Sequence, residues 1–238
     1  MRKTKQALVI FAKAPEFNKV KTRLVPPLTP VQATELYRCF LLDTIENVSQ
    51  IPGVDVIISY TPKGTEHLFH ELAPQCRLLL QEGDSFGPRL FSCFQNLCAE
   101  GYESVLVMDT DSPTLPHKYL EEGFEYLAAR EDAGIIGPSA DGGYYVIGLK
   151  KPHRAMFENI TWSTEYVTAE SLEQADKIGL PIHLLPEWFD VDTEAELAYL
   201  ERQILNGSIE GYSAPHTRAF FLKFRVQALA CHLPEPAA

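Results

Sequence analysis

The sequence predicts an α/β fold, a three-layer α/β/α sandwich built on a mainly parallel mixed sheet. Three observations predict it. Seven apolar segments of strand length recur along the chain, helical segments alternate with them, and several of the strands show no alternation of polar and apolar residues. Strands without that alternation are typical of a sheet that helices cover on both faces.

The elements are predicted in chain order. The strands are expected at 7–12, 54–60, 77–81, 104–109, 133–137, 144–149 and 182–186. The clearest helix spans 30–49, where apolar residues recur at three- and four-residue steps. Thr29 is its expected N-cap, Pro30 suits the first helical position, and Gln32 completes a capping box. Further helices are expected near 64–73, 87–99, 116–129, 164–178 and 193–206.

Length and composition indicate one globular domain. We expect the 238 residues to form a single domain, residues 1–238, with a helical tail from about 207 to 238 and an outer helix over 213–229. The apolar run from Ala7 to Ala12 is shorter than the core of a signal peptide, and no segment reaches the length of a membrane span. A cytoplasmic protein without membrane contact is therefore predicted.

Charge and cysteine content exclude several classes of function. The net charge of -11 argues against nucleic acid as a partner, because such binding needs a basic surface. The five cysteines, among them Cys231, include no C-x-x-C pair, which argues against a zinc site and a disulfide framework. Reduced, mostly buried thiols are expected instead.

A basic loop follows the first predicted strand. It carries Lys13, Lys19, Lys21 and Arg23 in an otherwise acidic protein. Ligands of open α/β sheets bind beyond the carboxyl ends of the strands, so Lys13, Lys21 and Arg23 are candidates for binding a di- or triphosphate. The alternative is a solvated basic loop. The common glycine-rich nucleotide motifs are absent from it.

Two acids follow the fourth predicted strand. Asp109 and Asp111 stand one residue apart in DTDSP, and they repel each other unless a cation lies beside them. Mg²⁺ and Mn²⁺ prefer such oxygen ligands and often combine one or two carboxylates with substrate phosphates. Two alternatives are that Asp111 or Ser112 caps the next helix, and that the motif is an aspartyl-phosphate site, although Pro113 departs from that pattern.

A second acidic segment, WFDVDTEAEL, follows the last predicted strand. Thr193 and Glu196 form a capping box, so Asp192 is not needed as the cap. It is therefore free to act as a second metal ligand, with Asp190 nearby. The alternative is that these acids lie on the surface at a helix start, where the helix dipole favours them.

The segment 141–143 is a third candidate. Asp141, Gly142 and Gly143 precede a predicted strand, so they are either a hairpin turn or a place where backbone without side chains lets a ligand approach. In the second interpretation Asp141 binds sugar hydroxyls or acts as a base.

The segment 159–165 adds an aromatic face beside two hydroxyls. Trp162, Ser163 and Thr164 suit a sugar or another small acceptor. The alternative is a helix start capped by Ser163.

Six stretches together resemble the nucleotide-diphospho-sugar transferase (GT-A-like) superfamily, and within it the bacterial DUF2064 proteins, which are often labelled glycosyltransferases of arsenosugar-biosynthesis type. The stretches run in family order over about residues 7 to 200: FAKAPEFNKVKTRL, QEGDSFGPRL, VMDTDSPTLP, GPSADGGYYVIGL, NITWSTE and WFDVDTEAEL. Two departures are Asn18 where the family usually carries glycine, and Pro88 where an acid is usual.

The resemblance implies roles for the acidic and basic residues. Asp111 would be the principal metal ligand, Asp109 would face the ribose or support the metal, and Asp192 would be the second metal-binding acid. Lys13, Lys21 and Arg23 would bind the phosphates, on the side opposite the acids. Gly142 and Gly143 would lie against the nucleotide.

Three functions remain open at this point. The first is a metal-dependent glycosyltransferase that uses Mg²⁺ or Mn²⁺, with Lys21, Arg23 and Asp141 as catalytic residues and a nucleotide-sugar and a small acceptor as substrates. The second is a nucleotidylyltransferase that joins a nucleoside triphosphate to a phosphorylated molecule and releases pyrophosphate. The third is a nucleotide-binding module without turnover. A homodimer is one option for the assembly.

Overall fold

The structure, a computed structural model, describes residues 5–230, with side chains described through residue 224. Cys231 and the part of the predicted tail beyond 230 lie outside the described residues. The strands are β1 Gln6–Lys13, β2 Val54–Thr61, β3 Arg77–Leu80, β4 Ser104–Met108, β5 Gly134–Pro138, β6 Tyr144–Leu149 and β7 Ile182–Leu184. The α-helices are α1 Pro30–Val48, α2 Glu66–Leu72, α3 Phe86–Ala99, α4 His117–Ala128, α5 Val167–Lys177, α6 Glu194–Asn206 and α7 Pro215–Ala230.

The seven strands form one mixed sheet in the order β3-β2-β1-β4-β6-β5-β7. Strand β6 runs antiparallel to both β4 and β5, and the other four strand pairs are parallel. The α/β prediction and the mainly parallel mixed sheet are confirmed. Because β1 and β4 are parallel neighbours, the loops after them meet at the same edge of the sheet.

Local capping signals placed the starts of α1 and α6 correctly. At the start of α1, the Thr29 side chain accepts from the Gln32 backbone N–H at 3.3 Å, while the Gln32 side chain accepts from the Thr29 N–H at 2.8 Å. Thr193 and Glu196 form the same reciprocal pair at the start of α6.

Two capping alternatives are wrong. Helix α4 begins at His117 after Pro116, so neither Asp111 nor Ser112 caps it. Helix α5 begins at Val167 after Tyr166, so Ser163 does not cap that helix either. The side chains of Asp111 and Ser163 are therefore not committed to a helix end.

The core has an apolar layer on each face of the sheet. Along β1, Leu8 and Ile10 pack into one layer and Ala7 and Val9 into the other, all fully buried. A third apolar cluster joins α1, α6 and α7 at one side. This two-sided burial is the physical reason why β1 lacks polar alternation.

Helix α7 is attached to α1 through one buried acid. Asp43 accepts hydrogen bonds from the backbone N–H groups of His216 and Thr217 at 2.9 and 2.8 Å, and from the Thr217 hydroxyl at 2.6 Å. Burial raises the pKa of Asp43, and these three donors oppose that rise. The helix occupies the segment where an outer C-terminal helix was predicted.

Among the described residues, four cysteines are free thiols. Cys76 and Cys93 are buried, while Cys39 and Cys98 are partly buried. Burial raises the pKa of the Cys93 thiol to about 12, so this thiol stays protonated at neutral pH. Across the described part of the chain, no helix combines the length and apolar character needed to cross a membrane.

Candidate active site

One cavity of about 730 Å³ opens at the carboxyl ends of β1 and β4. Its walls are the loop after β1, the loop after β4, the turn between β5 and β6, and the segments 162–167 and 190–192. Of the twelve predicted site residues, all but Gly142 line it. The cavity has a charged end and an aromatic end, and the two ends are described in turn.

Lys21 lies at the centre of the charged end. Its ammonium group is 2.7 Å from Asp111 Oδ1 and 2.9 Å from Asp192 Oδ1, and it donates to the Val191 carbonyl oxygen at 2.7 Å. The side chain is only 4% exposed. Carboxylates from two distant segments of the chain therefore converge on one buried cation.

The surroundings of Lys21 favour its charged form. Burial by itself would lower the pKa of Lys21, but the nearby charges of Asp111 and Asp192 outweigh it and raise the pKa above its ordinary value. The backbone at Lys21 is left-handed, with φ of 46°. That conformation is uncommon for a residue with a side chain, and here it precedes the short 3₁₀ helix Thr22–Leu24.

The positions of the cations differ from the prediction. Lys21 and Arg23 were expected on the side of the cleft opposite the acids, but Lys21 contacts both Asp111 and Asp192, and Arg23 Nη1 lies 3.3 Å from Asp192 Oδ2. The physical reason is charge, because the carboxylates of Asp111 and Asp192 lie within ion-pair distance of these cations. Lys13 donates from Nζ to the carbonyl oxygen of Lys19 at 2.9 Å, within its own loop.

Asp109 lies deeper than Asp111. Its Oδ1 accepts from the backbone N–H of Asp111 at 3.0 Å. Burial, followed by the charge of Asp111, raises the pKa of Asp109 well above its usual range. The repulsion expected between adjacent acids is therefore present, and Lys21 offsets part of it.

The segment 188–192 brings a second pair of acids to the cleft. The Val191 backbone N–H donates to the Asp111 carbonyl oxygen at 3.0 Å, so this segment is joined directly to the loop after β4. Burial, with a smaller contribution from Asp141, raises the pKa of Asp190 to about 6. Asp192 is held through its backbone N–H, which donates to Glu196 at 2.7 Å.

The segment 139–143 is both a turn and a wall of the cavity, so its two interpretations are compatible. Asp141 Oδ1 accepts from the Ser139 hydroxyl at 2.6 Å and from the Gly143 N–H at 2.8 Å, which fixes the carboxylate. Gly142 has φ of +89°, and a Cβ there would lie 2.2 Å from the Glu165 carbonyl oxygen. Glycine is required at 142 because the turn packs against the start of α5.

The aromatic end of the cavity is formed by four rings. Phe86 packs edge to face against Phe11 and Trp162, at centroid distances of 5.7 and 4.9 Å, and Trp162 contacts Tyr144 at 6.4 Å. Phe86 is 46% exposed, whereas the Tyr144 hydroxyl is buried without a partner. Ser163 and Thr164 lie beside these rings in the cavity wall.

The donor set at the charged end suits a hard divalent cation. Asp109, Asp111, Asp190 and Asp192 all line the cavity and offer carboxylate oxygens. A tighter cluster of potential metal ligands would bring three acidic, histidine or cysteine side chains within 4.8 Å of one another. In the described part of the chain, such a cluster is found only at Asp43, Glu46 and His216. The cleft acids therefore fit an ion that takes one or two carboxylates and completes its shell with substrate oxygens and water.

Sequence reasoning missed several residues of the cavity, among them Tyr37, Phe86 and Tyr144. Tyr37 accepts from the Lys13 N–H at 3.1 Å and donates to the Lys13 carbonyl at 2.9 Å, so it clamps the end of β1. Burial raises the pKa of Tyr37 to about 12, which keeps its hydroxyl protonated. Phe86 and Tyr144 complete the aromatic end. Tyr37 places a hydroxyl in the apolar stripe of α1, near the helix start, and that feature was the available signal.

Comparison with known proteins places this site in context. Residues 44–164 match the family model DUF2064, described as an uncharacterized protein conserved in bacteria. A solved structure from Desulfovibrio desulfuricans G20, provisionally named a nucleotide-diphospho-sugar transferase, aligns with a TM-score of 0.81 and 30% identity over 93% of this chain and 98% of that chain. No curated protein matches the chain significantly.

More distant structures share the fold. A cytidylyltransferase from Leptospira borgpetersenii aligns with a TM-score of 0.55 and 10% identity, over 99% of each chain. The 4-diphosphocytidyl-2C-methyl-D-erythritol synthase of Anaerococcus prevotii aligns with a TM-score of 0.52 and 14% identity, over 83% of this chain and 97% of that chain.

Proposed function

Because the chain belongs to the DUF2064 family of uncharacterized bacterial proteins, we propose that it is a metal-dependent glycosyltransferase that moves a sugar from a nucleotide-sugar to a small acceptor. The resemblance drawn from the sequence motifs is confirmed by this membership, and the chain is a transferase. One observation supports the proposal most strongly: Lys21, Asp111 and Asp192 converge in a cleft at the carboxyl edge of the sheet.

The basic residues would bind the nucleotide diphosphate. Lys21 and Arg23 carry their charges at the acidic end of the cleft, and Lys13 lines the same cavity. When a diphosphate enters, its oxygens offer these cations stronger partners than the carboxylates do, because two phosphates carry more charge in less space. Their contribution is to stabilise the negative charge that develops on the leaving group.

A divalent cation held by Asp111 and Asp192 would neutralise the departing diphosphate as a Lewis acid. The Lys21 ammonium group lies between these two carboxylates, so an ion and Lys21 compete for the same oxygens. With an ion held by these acids, Lys21 would pair with the phosphate oxygens of the diphosphate, and its charge would stay in the site.

The acceptor would bind at the aromatic end. Trp162 offers a ring face, Ser163 and Thr164 add hydroxyls, and Asp141 lies across the same cavity. Two hydrogen bonds fix Asp141 Oδ1, so the carboxylate is oriented before the acceptor arrives. Asp141 would take the proton from the acceptor hydroxyl as it attacks the sugar, in an inverting reaction.

Nucleotidyl transfer is the second candidate, and one feature favours it. Three cations, Lys13, Lys21 and Arg23, line a single cavity of an otherwise acidic chain. That much positive charge suits a triphosphate whose pyrophosphate departs. A phosphorylated acceptor would then attack the α-phosphate.

The reaction product distinguishes the two candidates. The protein is incubated with Mg²⁺ or Mn²⁺ and a panel of nucleotide-sugars or nucleoside triphosphates, together with a pool of small hydroxylated and phosphorylated acceptors. Release of a nucleoside diphosphate supports glycosyl transfer, whereas release of pyrophosphate supports nucleotidyl transfer. Metal-dependent nucleotide binding without either product would support the binding module.

A pair of matched variants tests the site. Asp111→Asn is expected to reduce turnover by about 100-fold or more, since it removes a charge on which the ion depends. Asp132→Asn is the control, because Asp132 pairs with His153 and Lys151 outside the cavity. Equal turnover by wild type and Asp111→Asn would refute the site assignment.

A further inference from the structure

Helices α1 and α6 begin with the same capping box, but the box of α6 makes one more hydrogen bond. At the start of α1, the Gln32 side chain accepts from the N–H of the N-cap residue Thr29 at 2.8 Å. At the start of α6, the Glu196 side chain accepts from the N–H of the N-cap residue Thr193 at 2.7 Å. An amide oxygen and a carboxylate oxygen can therefore both complete the cap.

The additional bond of α6 goes to the residue before the N-cap. Glu196 Oε2 accepts a second N–H, that of Asp192, also at 2.7 Å. In α1 the corresponding residue is Leu28, whose N–H donates to the Leu24 carbonyl oxygen at 2.8 Å, so the main chain satisfies it. The capping side chain of α6 thus reaches one residue further back, to Asp192 in the wall of the cavity.

This bond holds the main chain of Asp192, whereas the side chain of Asp192 contacts the cations of the cleft. Asp192 Oδ1 lies 2.9 Å from the Lys21 ammonium group, and Oδ2 lies 3.3 Å from Arg23 Nη1. The same ammonium group lies 2.7 Å from Asp111 Oδ1. A series of contacts therefore runs from Glu196 on α6 through Asp192 and Lys21 to the loop after β4.

Helix α6 gives this series of contacts a firm support. Its apolar side, formed by Leu197, Leu200 and Ile204, is buried against α1 and α7. Glu196 lies outside the described lining of the cavity, so its influence on the cleft passes through Asp192. Hydrogen bonds to an ionised acceptor are shorter and stronger than those to a neutral one, which suits a residue that holds two N–H groups at 2.7 Å.

We propose that Glu196 is a positioning residue of the charged end, which holds the Asp192 carboxylate opposite Lys21 by accepting the Asp192 N–H. Its value for catalysis rests on the transfer function proposed above, but the positioning itself is a property of the protein without substrate. Val191 is bonded separately, through its N–H to the Asp111 carbonyl oxygen and through its carbonyl oxygen to Lys21. Glu196 is therefore expected to set the orientation of Asp192, while the contacts of Val191 keep the segment at the cleft.

A double-mutant cycle tests the proposal on the protein alone. Glu196→Ala removes the acceptor of both N–H groups, and Lys21→Met removes the partner of Asp192. In the wild type, Glu196→Ala should weaken the cap and the ion pair together, whereas in Lys21→Met only the cap remains to be lost. We expect Glu196→Ala to lower the Tm by roughly 4 °C in the wild type and by about half as much in Lys21→Met.

Two further variants separate positioning from capping and from charge. Gln32→Ala removes the matching cap interaction of α1, so it should lower the Tm by the same amount in the wild type and in Lys21→Met. Glu196→Gln removes the charge but keeps an oxygen that can accept two N–H groups, so it should retain most of the coupling to Lys21. Amide hydrogen exchange at Asp192 should be faster in Glu196→Ala than in the wild type and should stay slow in Glu196→Gln.

Two results of the cycle would overturn the proposal. Equal Tm losses from Glu196→Ala in the wild type and in Lys21→Met would mean that the cap alone accounts for them. Loss of the coupling in Glu196→Gln would mean that the charge, and not the hydrogen bond, is responsible.

The transfer assay adds a second readout. Glu196→Ala should lower turnover roughly tenfold, as the loss of a hydrogen bond to a charged group predicts, and Glu196→Gln should restore most of it. Unchanged turnover in Glu196→Ala, once a product is detected, would also overturn the proposal. If no product is formed, the transfer function fails, and the cycle still decides the role of Glu196 because it needs no substrate.

Discussion

Replacing Lys21 with methionine removes the positive charge between Asp111 and Asp192 and keeps a side chain of similar length. In the folded protein the ammonium group pairs with both carboxylates within 2.9 Å and donates to the Val191 carbonyl. Without it, two negative charges face each other across an apolar side chain, and the carbonyl loses its donor. We therefore expect Lys21→Met to destabilise the fold in metal-free buffer.

The size of the effect follows from burial. Removing one partner of a buried ion pair costs about 3–5 kcal/mol. The carboxylates of Asp111 and Asp192 are 31% and 34% exposed, so water can solvate part of their charge once the partner is gone. We expect a loss of about 2 kcal/mol in the free energy of unfolding, equivalent to roughly 4–8 °C in Tm for a chain of this size.

Urea unfolding and calorimetry measure the change, and Arg23→Met is the matched control. Arg23 contacts Asp192 at 3.3 Å but its side chain is 72% exposed, so its removal should change the free energy of unfolding by less than about 0.5 kcal/mol. In Lys21→Met with Asp192→Asn, the repulsion is relieved, and the double variant should be more stable than the sum of the two single changes predicts.

Magnesium provides a second readout of the same variant. Mg²⁺ can occupy the position between the carboxylates that the ammonium group has vacated, so it should raise the Tm of Lys21→Met more than that of the wild type. An unfolding free energy of Lys21→Met equal to that of the wild type would refute the reasoning, because it would mean that the two acids do not depend on Lys21 for their charge balance.

Three further predictions concern packing, the turn and pH. Phe94→Ala should lower the free energy of unfolding by about 4 kcal/mol in urea, because the ring is fully buried and leaves a cavity. Gly142→Ala should reduce transfer activity and stability more than Gly64→Ala, since both have positive φ but only Gly142 has backbone within 2.2 Å of the added carbon. Two hydrogen bonds from Arg77 hold the pKa of Glu100 below its usual range, so this pair stabilises the fold above about pH 4.3 and less as pH falls through the folded pKa. Glu100→Gln should flatten the pH dependence of the free energy of unfolding below about pH 5. The change should be less than about 1 kcal/mol, because the pair is partly exposed.

Local patterns predicted most of the fold. Helix α1 was located by its apolar periodicity and its Thr29 cap, and the structure begins it at Pro30 as expected. Segments such as 104–109 were recognised because buried strands between helices are apolar throughout. These signals act within a few residues, so they can be read without knowing what packs against them.

The sequence predicted which residues come together at the cavity, but not how they are arranged there. Charged residues that follow strands were expected to meet, since parallel strands end at one edge of the sheet. The side on which Lys21 would lie was wrong, because its position depends on which anion is nearest in space. Lys21 and Asp192 are 171 residues apart in the chain, and no local signal relates them.

Segment 188–192 shows the same division. Its acids were recognised in the stretch WFDVDTEAEL, but the hydrogen bond from the Val191 N–H to the Asp111 carbonyl oxygen, which joins it to the loop after β4, depends on the tertiary structure. By itself the sequence determined the α/β class, the starts of α1 and α6 and the chemistry available at the strand ends, because periodicity, capping and side-chain type act over short range. Only the tertiary structure decided which charges pair and which polar groups stay unsatisfied, because those outcomes depend on distances between segments far apart in the chain.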